Sequence, residues 1–272
     1  MAHRTRSPRS AREHNRRALS QNFLTDRRAI DQVVRAAGVA PGDLVIEVGA
    51  GEGALTWPLA RAGADVLAYE LDPRLAAALA ARSRPEARIR CVHGDFLAAR
   101  PPGRPFAVVG NVPYAATARI VDWCLRAPRL SAATLVTQLE YARKRTGGYG
   151  RWSQLTVQTW PAFDWHSLGR IPRSAFRPVP RVDAGIVRLR RRDAPLLPPR
   201  VLREYRAFVG LGFGGVGGSL GASLRREYPA RRVAAAFRAA GLNPATVVGY
   251  VHPAQWVDLF AALHLDAGAR SG

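Results

Sequence analysis

The sequence predicts an α/β protein: a doubly wound, mostly parallel sheet followed by a small C-terminal domain of α-helices. Two patterns carry that prediction. Between residues 25 and 194, short apolar runs of strand length alternate with segments of helical periodicity. Past the proline-rich stretch 194–200 the strand-like runs stop, and apolar residues recur only at helical spacing. Parallel sheets take their ligands at the carboxyl ends of the strands, so chemistry is expected in the loops that follow them.

Residues 1–20 read as a solvated basic arm, with arginines at 4, 6, 9, 12, 16 and 17, one acid at Glu13 and no apolar core of a secretory signal. From Thr25, the expected N-cap, Ala29, Ile30, Val33, Val34 and Ala37 share a helical face, and Gly38 stops the helix. A strand at 44–48 leads to a helix at 54–61, closed by Gly63. A strand at 66–69 leads to a helix at 73–82, whose proline suits a first turn. Strands at 89–92 and 106–109, a helix at 115–125, and strands at 134–138 and 185–189 follow. Helices at 202–209, 231–240 and 253–263 make up the remainder, the first two separated by a glycine-rich run at 210–221. The expected boundaries are 1–20 for the arm, 21–194 for the sheet domain and 195–272 for the helical domain.

Charge narrows the partners. The 41 basic and 20 acidic residues leave a net charge of +21, and Lys144 is the sole lysine. A chain this basic repels itself unless a polyanion compensates, which makes nucleic acid the expected partner and an acidic membrane surface its competitor. No apolar stretch of about 18 residues exists, which excludes a membrane-spanning helix. Cys91 and Cys124 read as buried thiols of a reducing, cytoplasmic setting. The six histidines show no ligand spacing with each other or with the cysteines, so no metal is expected.

The first strand runs into Glu47-Val48-Gly49-Ala50-Gly51-Glu52-Gly53, directly before a helix. Glycines let the backbone turn tightly and approach a ligand. Gly49-x-Gly51-x-x-Ala54 also fits the dinucleotide fingerprint, so the loop by itself does not choose the cofactor. Nor does Glu70, nineteen residues after Gly51, where a carboxylate suits the ribose hydroxyls that both cofactor classes carry. Asp95, after the third strand, suits either a cofactor adenine amine or a helix N-cap. The fourth strand ends in Gly110-Asn111-Val112-Pro113-Tyr114. An adenine exocyclic amine is a poor nucleophile because its lone pair is delocalised into the ring. The Asn111 oxygen and the Pro113 carbonyl, both aimed at its N–H groups, would hold that nitrogen closer to tetrahedral. A sulfonium methyl donor is already activated, so positioning supplies most of the rate. Tyr114 offers a face on which an extruded base can stack.

These motifs resemble those of the ribosomal RNA adenine dimethyltransferase family, and within it the Erm macrolide-resistance branch, from about Gln21 to Leu263. Gln21-Asn22-Phe23-Leu24 resembles the family's N-terminal cofactor motif. Phe176-Arg177-Pro178-Val179-Pro180-Arg181-Val182-Asp183 resembles the segment whose phenylalanine sandwiches the flipped base opposite Tyr114. The segments 140–147 and 150–153 are similar to the Erm branch specifically, and their basic residues, read as a loop after a strand, suit phosphate contacts. The resemblance implies a Rossmann-like class I methyltransferase domain using S-adenosyl-L-methionine, contacted by Asn22, Leu24, Gly49, Gly51, Glu70, Asp95 and Asn111. It implies catalytic roles for Asn111, Pro113, Tyr114 and Phe176, and RNA contacts through Arg143, Lys144, Arg145, Arg177 and Arg181.

The implied reaction places one or two methyl groups on N6 of a large-subunit (23S) ribosomal RNA adenine at the macrolide site, which gives antibiotic resistance. The implied partner is 23S rRNA before ribosome assembly is complete, met by a monomer with no obligate protein partner. Two alternatives stay open: the small-subunit (16S) dimethyltransferase of ribosome biogenesis, and a non-catalytic nucleic-acid-binding transcription factor derived from this family. A nicotinamide oxidoreductase fits the glycine loop but leaves residues 111–114 and the net charge unexplained. Two departures stand out: Val112 replaces the usual isoleucine or leucine, and residues 210–221 carry no charge where basic residues are expected.

Overall fold

A computed structural model describes residues 22–215 and 218–265, so the basic arm expected at 1–20 lies outside the described residues. In chain order the elements are β1 (Phe23–Leu24), α1 (Arg27–Ala37), β2 (Leu44–Val48), α2 (Thr56–Arg61), β3 (Asp65–Glu70), α3 (Pro73–Ser83), β4 (Ile89–His93), β5 (Phe106–Asn111), α4 (Thr117–Arg126), β6 (Leu130–Gln138), α5 (Leu139–Arg145), α6 (Gln154–Thr159), β7 (Phe163–Ile171), β8 (Phe176–Arg177), β9 (Ala184–Arg191), α7 (Leu202–Phe213), α8 (Leu220–Leu224), α9 (Ala230–Ala239) and α10 (Pro253–Phe260). Seven strands form one sheet in the order β4-β3-β2-β5-β6-β9-β7, while β1 pairs antiparallel with β8 outside it. The β2–β3, β3–β4, β2–β5 and β5–β6 pairs are parallel. From β2 the chain winds outward through β3 and β4, then returns to β5 on the other side of β2. The strand order reverses between β2 and β5, and in such sheets the crevice beyond that reversal is where ligands bind. The doubly wound, mostly parallel architecture read from the sequence is the one observed.

Local chemistry accounts for the element ends. In α1, Asp26 is the cap: its carboxylate accepts the Ala29 N–H at 2.8 Å. Thr25, the expected cap, donates its hydroxyl to the Ala175 carbonyl instead. Gly38 ends the helix at φ +57°, a conformation open to glycine at no steric cost. Asp72 caps α3 by accepting from Arg74 and Leu75, with Pro73 in the first turn. Strand β2 buries Val45, Ile46, Glu47 and Val48 in succession, as expected of a central strand covered on both faces.

The described residues fall into two compact units: one runs to Glu140 and takes up Leu168–Arg188, the other holds Tyr141–Ser167 and the chain from Leu189 onward. Strands β7 and β9 contribute residues to both. The core of the first unit gathers Leu24, Val33, Val45, Leu59, Val109 and Phe176. That of the second joins Trp152 and Val157 to Tyr205, Phe208, Trp256 and Phe260. The boundary expected between 194 and 195 is therefore corrected. Residues 141–167 belong with the helices because Val157 lies in their core and its carbonyl accepts the Tyr205 hydroxyl at 3.0 Å. Strand β7 has no sequence counterpart in the expected set: apolar and polar residues alternate over Phe163–His166, but Ser167 and Gly169 break the pattern, leaving too short a run to read as a strand.

The glycine-rich run also differs from expectation. Helix α7 continues through Gly210 and Gly212 to Phe213. A Cβ on Gly212 would collide with the Trp256 ring and lie 2.8 Å from Leu220, so the glycine lets two apolar side chains close over the helix. Gly210 meets only Gln154, at 4.0 Å. Gly212→Ala is expected to lower stability by roughly 1–3 kcal/mol through overpacking. Gly210→Ala should raise it by about 0.5–1 kcal/mol, by lowering the entropy of the unfolded chain. Thermal melts of the two variants check this, and shifts of the same sign would contradict it.

Candidate active site

The pocket sits at the strand-order reversal. After Val48 the chain turns through Gly49, Gly51 and Gly53 at φ +68°, +57° and +88°. A Cβ on Gly51 would lie 3.0 Å from the Phe23 ring, which closes over the loop. On the neighbouring strand, a Cβ on Gly110 would lie 2.7 Å from the Val48 carbonyl oxygen. Glycine there lets β5 run close beside β2 and delivers Asn111 to the mouth of the glycine turn.

Asn22, Phe23, Gly49, Gly51, Glu70 and Asp95 line one part of the pocket, and Asn111, Val112, Pro113 and Tyr114 another. Tyr69, Leu71, Phe96, Leu97 and Ile120 supply apolar wall. Glu70 accepts the Gly51 N–H at 2.6 Å on one oxygen and the Asp72 N–H at 2.8 Å on the other. Each oxygen keeps a further lone pair, so the carboxylate is fixed in place and still able to accept. Of the two readings left open for Asp95, the helix cap is observed: it caps the turn at Phe96–Ala98 by accepting from Leu97 at 2.9 Å, and its side chain also lines the pocket. No arginine, lysine or histidine contributes to the lining. Among the described residues, the ionisable acids of this pocket stand without a cation in the lining.

The Asn111 amide donates to the Asn22 carbonyl at 2.7 Å, which orients the side chain and leaves its oxygen available. Asn22 thus acts through its backbone, a role invisible to residue type. The Pro113 carbonyl, expected to receive the target amine, already accepts from Ala116 N–H at 2.9 Å and from the Thr117 hydroxyl at 3.3 Å. Both of its lone pairs are occupied by the turn into α4, and that part of the expectation is corrected. The Val112 carbonyl accepts no hydrogen bond from the described residues. The Tyr114 hydroxyl is buried without a hydrogen-bond partner. Burial, and then the charge of Asp183, pushes its ionisation above the ordinary phenol range, so it is a neutral group at physiological pH.

Beneath the glycine turn lies Glu47, fully buried, accepting the Thr56 hydroxyl at 2.5 Å. Burial pushes its pKa up to about 8 against the opposing effect of the Thr56 hydrogen bond, and the nearby Glu70 charge adds to the rise. The reading of the sequence missed this residue, whose signal was only an acid inside an apolar strand.

Leu24 and Phe176 are not part of the pocket lining. They face each other in the β1–β8 ladder, and Phe176 is 1% exposed within the core. The expected base-sandwiching face of Phe176 is therefore corrected: its ring is enclosed by apolar neighbours and supports the loop behind the pocket. Arg143 and Lys144 are exposed on α5, a helix where a loop was expected. Arg145 is turned inward, with its guanidinium on the Ser153 hydroxyl at 2.9 Å and over the Tyr141 ring. Arg177 and Arg181 are exposed, although Arg177 also donates to the carbonyls of Ser174 and Phe176. Among the described residues no group of three or more histidines, cysteines or acids is placed to hold a metal.

Residues 12–265 match the profile of the family described as ribosomal RNA adenine dimethylase. The chain belongs to that family. An rRNA methyltransferase of Streptomyces thermotolerans is 55% identical over 259 residues, 95% of this chain and 87% of that protein. An rRNA adenine N-6-methyltransferase of Streptomyces fradiae is 56% identical over 250 residues, 91% and 78% of the respective chains. Among solved structures, the 23S rRNA methyltransferase ErmE superposes with a TM-score of 0.86 at 52% identity, covering 89% of this chain and 99% of its own. The dimethylase family's methyltransferase fold is thus the setting for the acid-lined crevice at the strand-order reversal.

Two expectations follow for this dimethylase-family site. Folded Glu47 keeps its proton to about pH 8, while the unfolded group ionises near the ordinary carboxylate value of 4.5. Its contribution to stability is then full on the acid side and is lost as pH rises from 4.5 towards 8. Glu47→Gln keeps an acceptor for Thr56 and should raise the thermal midpoint by a few degrees at about pH 9 but not at about pH 5. An equal shift at both would place the buried proton elsewhere. Phe176→Ala should cost about 3–5 kcal/mol of stability, whereas Phe176→Leu should recover most of it and keep methyl transfer within a few-fold. A folded leucine variant without transfer would restore the stacking role.

Proposed function

We propose that the chain transfers methyl groups from S-adenosyl-L-methionine to N6 of a 23S rRNA adenine at the macrolide site, giving macrolide-type resistance. The observation that carries the cofactor assignment is the charge of the pocket: acids line it and, among the described residues, no cation does. A dinucleotide's pyrophosphate would have only backbone N–H groups of the glycine turn to set against those acids, whereas a ligand bearing sulfonium and ammonium charges is complementary to them. When bound, S-adenosyl-L-methionine supplies an electrophilic methyl group. The close relation to rRNA adenine methyltransferases and to ErmE supports the RNA substrate.

Glu70, already held by two backbone N–H groups, accepts the ribose hydroxyls on its remaining lone pairs. The Asp95 carboxylate would accept a hydrogen bond from the cofactor's adenine amine, and the open glycine turn at Gly49 and Gly51 would let the backbone approach the ligand. Asn111, pinned by Asn22, presents its oxygen to one N–H of the target amine, and the Val112 carbonyl takes the other. Two acceptors on one nitrogen draw its lone pair out of conjugation and aim it. The Tyr114 ring stacks on the extruded base, and its unpartnered hydroxyl is neutral and so no base at physiological pH. Positioning is the main contribution these residues make to the rate. Arg143, Lys144, Arg177 and Arg181 take phosphates. The enzyme acts in the cytoplasm as a monomer, on RNA not yet buried in a finished ribosome, because the base has to leave its stack.

Labelled S-adenosyl-L-methionine incubated with protein-free large-subunit and small-subunit rRNA should label one large-subunit adenine, located by reverse-transcription stops and mass spectrometry. Label confined to small-subunit RNA would move the enzyme to ribosome biogenesis, and no label with intact donor binding would overturn the substrate. Asn111→Ala should lower the turnover number by about 100-fold or more, with a smaller loss of donor affinity. Wild-type turnover by that variant would remove Asn111 from the mechanism.

A further inference from the structure

The helical unit carries an arginine–tyrosine surface that neither its core nor the pocket uses. Tyr149 is 50% exposed, and the Arg143 guanidinium lies 5.9 Å from its ring centre. Arg151 donates from Nε to the Tyr250 hydroxyl at 2.9 Å and lies 4.9 Å from the centre of that ring, also 50% exposed. The Trp152 N–H bonds to the Gly249 carbonyl at 2.7 Å and ties the two segments together. Val247, 48% exposed, is two residues from that tie. The unit's other tyrosines are less exposed: Tyr205 is fully buried, with its hydroxyl satisfied by a backbone carbonyl, and Tyr141 and Tyr228 are half-buried.

Charge points the same way. Residues 141–153 hold Arg143, Lys144, Arg145 and Arg151 and no acid, and residues 244–257 hold no acid either. Arg145 is engaged internally, which leaves Arg143, Lys144 and Arg151 at the surface. A ring with one face under a guanidinium has its other face open to a second planar group, and the adjacent cations suit an anionic backbone. Duplex RNA keeps its bases stacked on each other and offers no such faces, whereas unpaired nucleotides do.

We infer that Tyr149 and Tyr250 form a stacking platform for unpaired bases of the RNA substrate, with Arg143, Lys144 and Arg151 on the flanking phosphates. The inference rests on the reading of RNA as substrate. It assigns a task to the Gly150-Arg151-Trp152-Ser153 segment that phosphate contact alone leaves unexplained.

The full-length protein, titrated into a fluorescein-labelled single-stranded oligoribonucleotide of about 12 nucleotides and into a hairpin duplex of matched length, tests it. Wild-type protein is expected to favour the single strand. Tyr149→Ala and Tyr250→Ala should each weaken that complex roughly five- to tenfold and leave duplex and S-adenosyl-L-methionine affinities unchanged. Tyr250→Phe keeps the ring and should bind like wild type, while Tyr250→Leu, apolar but without a planar face, should bind like the alanine variant. Equal losses on both RNAs would overturn the platform in favour of a phosphate grip, and unchanged single-strand binding would overturn it outright. Methyl transfer by the same wild-type preparation keeps the two readings apart. Failure to label any rRNA counts against the proposed reaction, whereas variants that bind single strands normally count against the platform alone.

Discussion

The pocket depends on how closely β5 approaches β2, and one absent side chain sets that approach. The two strands are joined in parallel, with Val48 opposite Gly110. A methyl group at position 110 would stand 2.7 Å from the Val48 carbonyl and push the strands apart where both deliver their loops. With glycine there, the turn from Gly49 and the Asn111–Tyr114 segment open into the same crevice. A donor-binding loop and a nucleophile-binding loop placed so are held by sheet hydrogen bonds and not by their own stiffness. For a reaction whose electrophile is already activated, that rigidity is the main thing the protein has to supply.

Charge is distributed as sharply as position. In a chain at net +21, the described part of the pocket is lined by acids and by none of the described cations. Two buried carboxyls, Glu47 and Glu70, stand near one another beneath the glycine turn, and burial of two like charges would be costly. The solution is asymmetric: Glu70 takes two backbone N–H groups, while Glu47 is driven towards its protonated form and bonds to Thr56. Of these two, Glu70 is the carboxylate that faces the pocket, which Asp95 also lines. The external arginines are then free to answer to a polyanion.

The parts of the fold legible from sequence were those in which one interaction decides the outcome locally. Strand 44–48 was bounded correctly because β2 is buried on both faces and reads as a continuous apolar run. Helix α1 was recognisable by spacing and by Gly38, although the cap moved one residue from Thr25 to Asp26 because Thr25 is drawn to the Ala175 carbonyl. Long-range packing hid the rest. Strand β7 loses its alternation at Ser167, and α5 and α6 are seven and six residues long, too short for periodicity to reveal. Of the site, Gly49, Gly51, Glu70, Asp95, Asn111 and Tyr114 were legible because their chemistry resides in residue type. The acceptor role of a backbone carbonyl does not, and Asn22, whose carbonyl holds Asn111, does not advertise it.

That last distinction also explains why residues from three distant stretches work as one site. Asn22 holds Asn111 through its carbonyl, and its own position depends on the next two residues, which form β1. Strand β1 is held by β8, with Phe23 opposite Arg177 and Leu24 opposite Phe176, and both Thr25 and Asp26 donate their backbone N–H groups to Ala175. Burying Leu24 and Phe176 side by side therefore anchors the carbonyl that orients the Asn111 amide. Side chains outside the pocket lining can in this way set the direction of the Asn111 amide, and a displacement of about 1 Å at a reacting centre is enough to cost about 100-fold in rate. The segments at 22–24 and 176–177 belong to the site because they fix where its acceptors point.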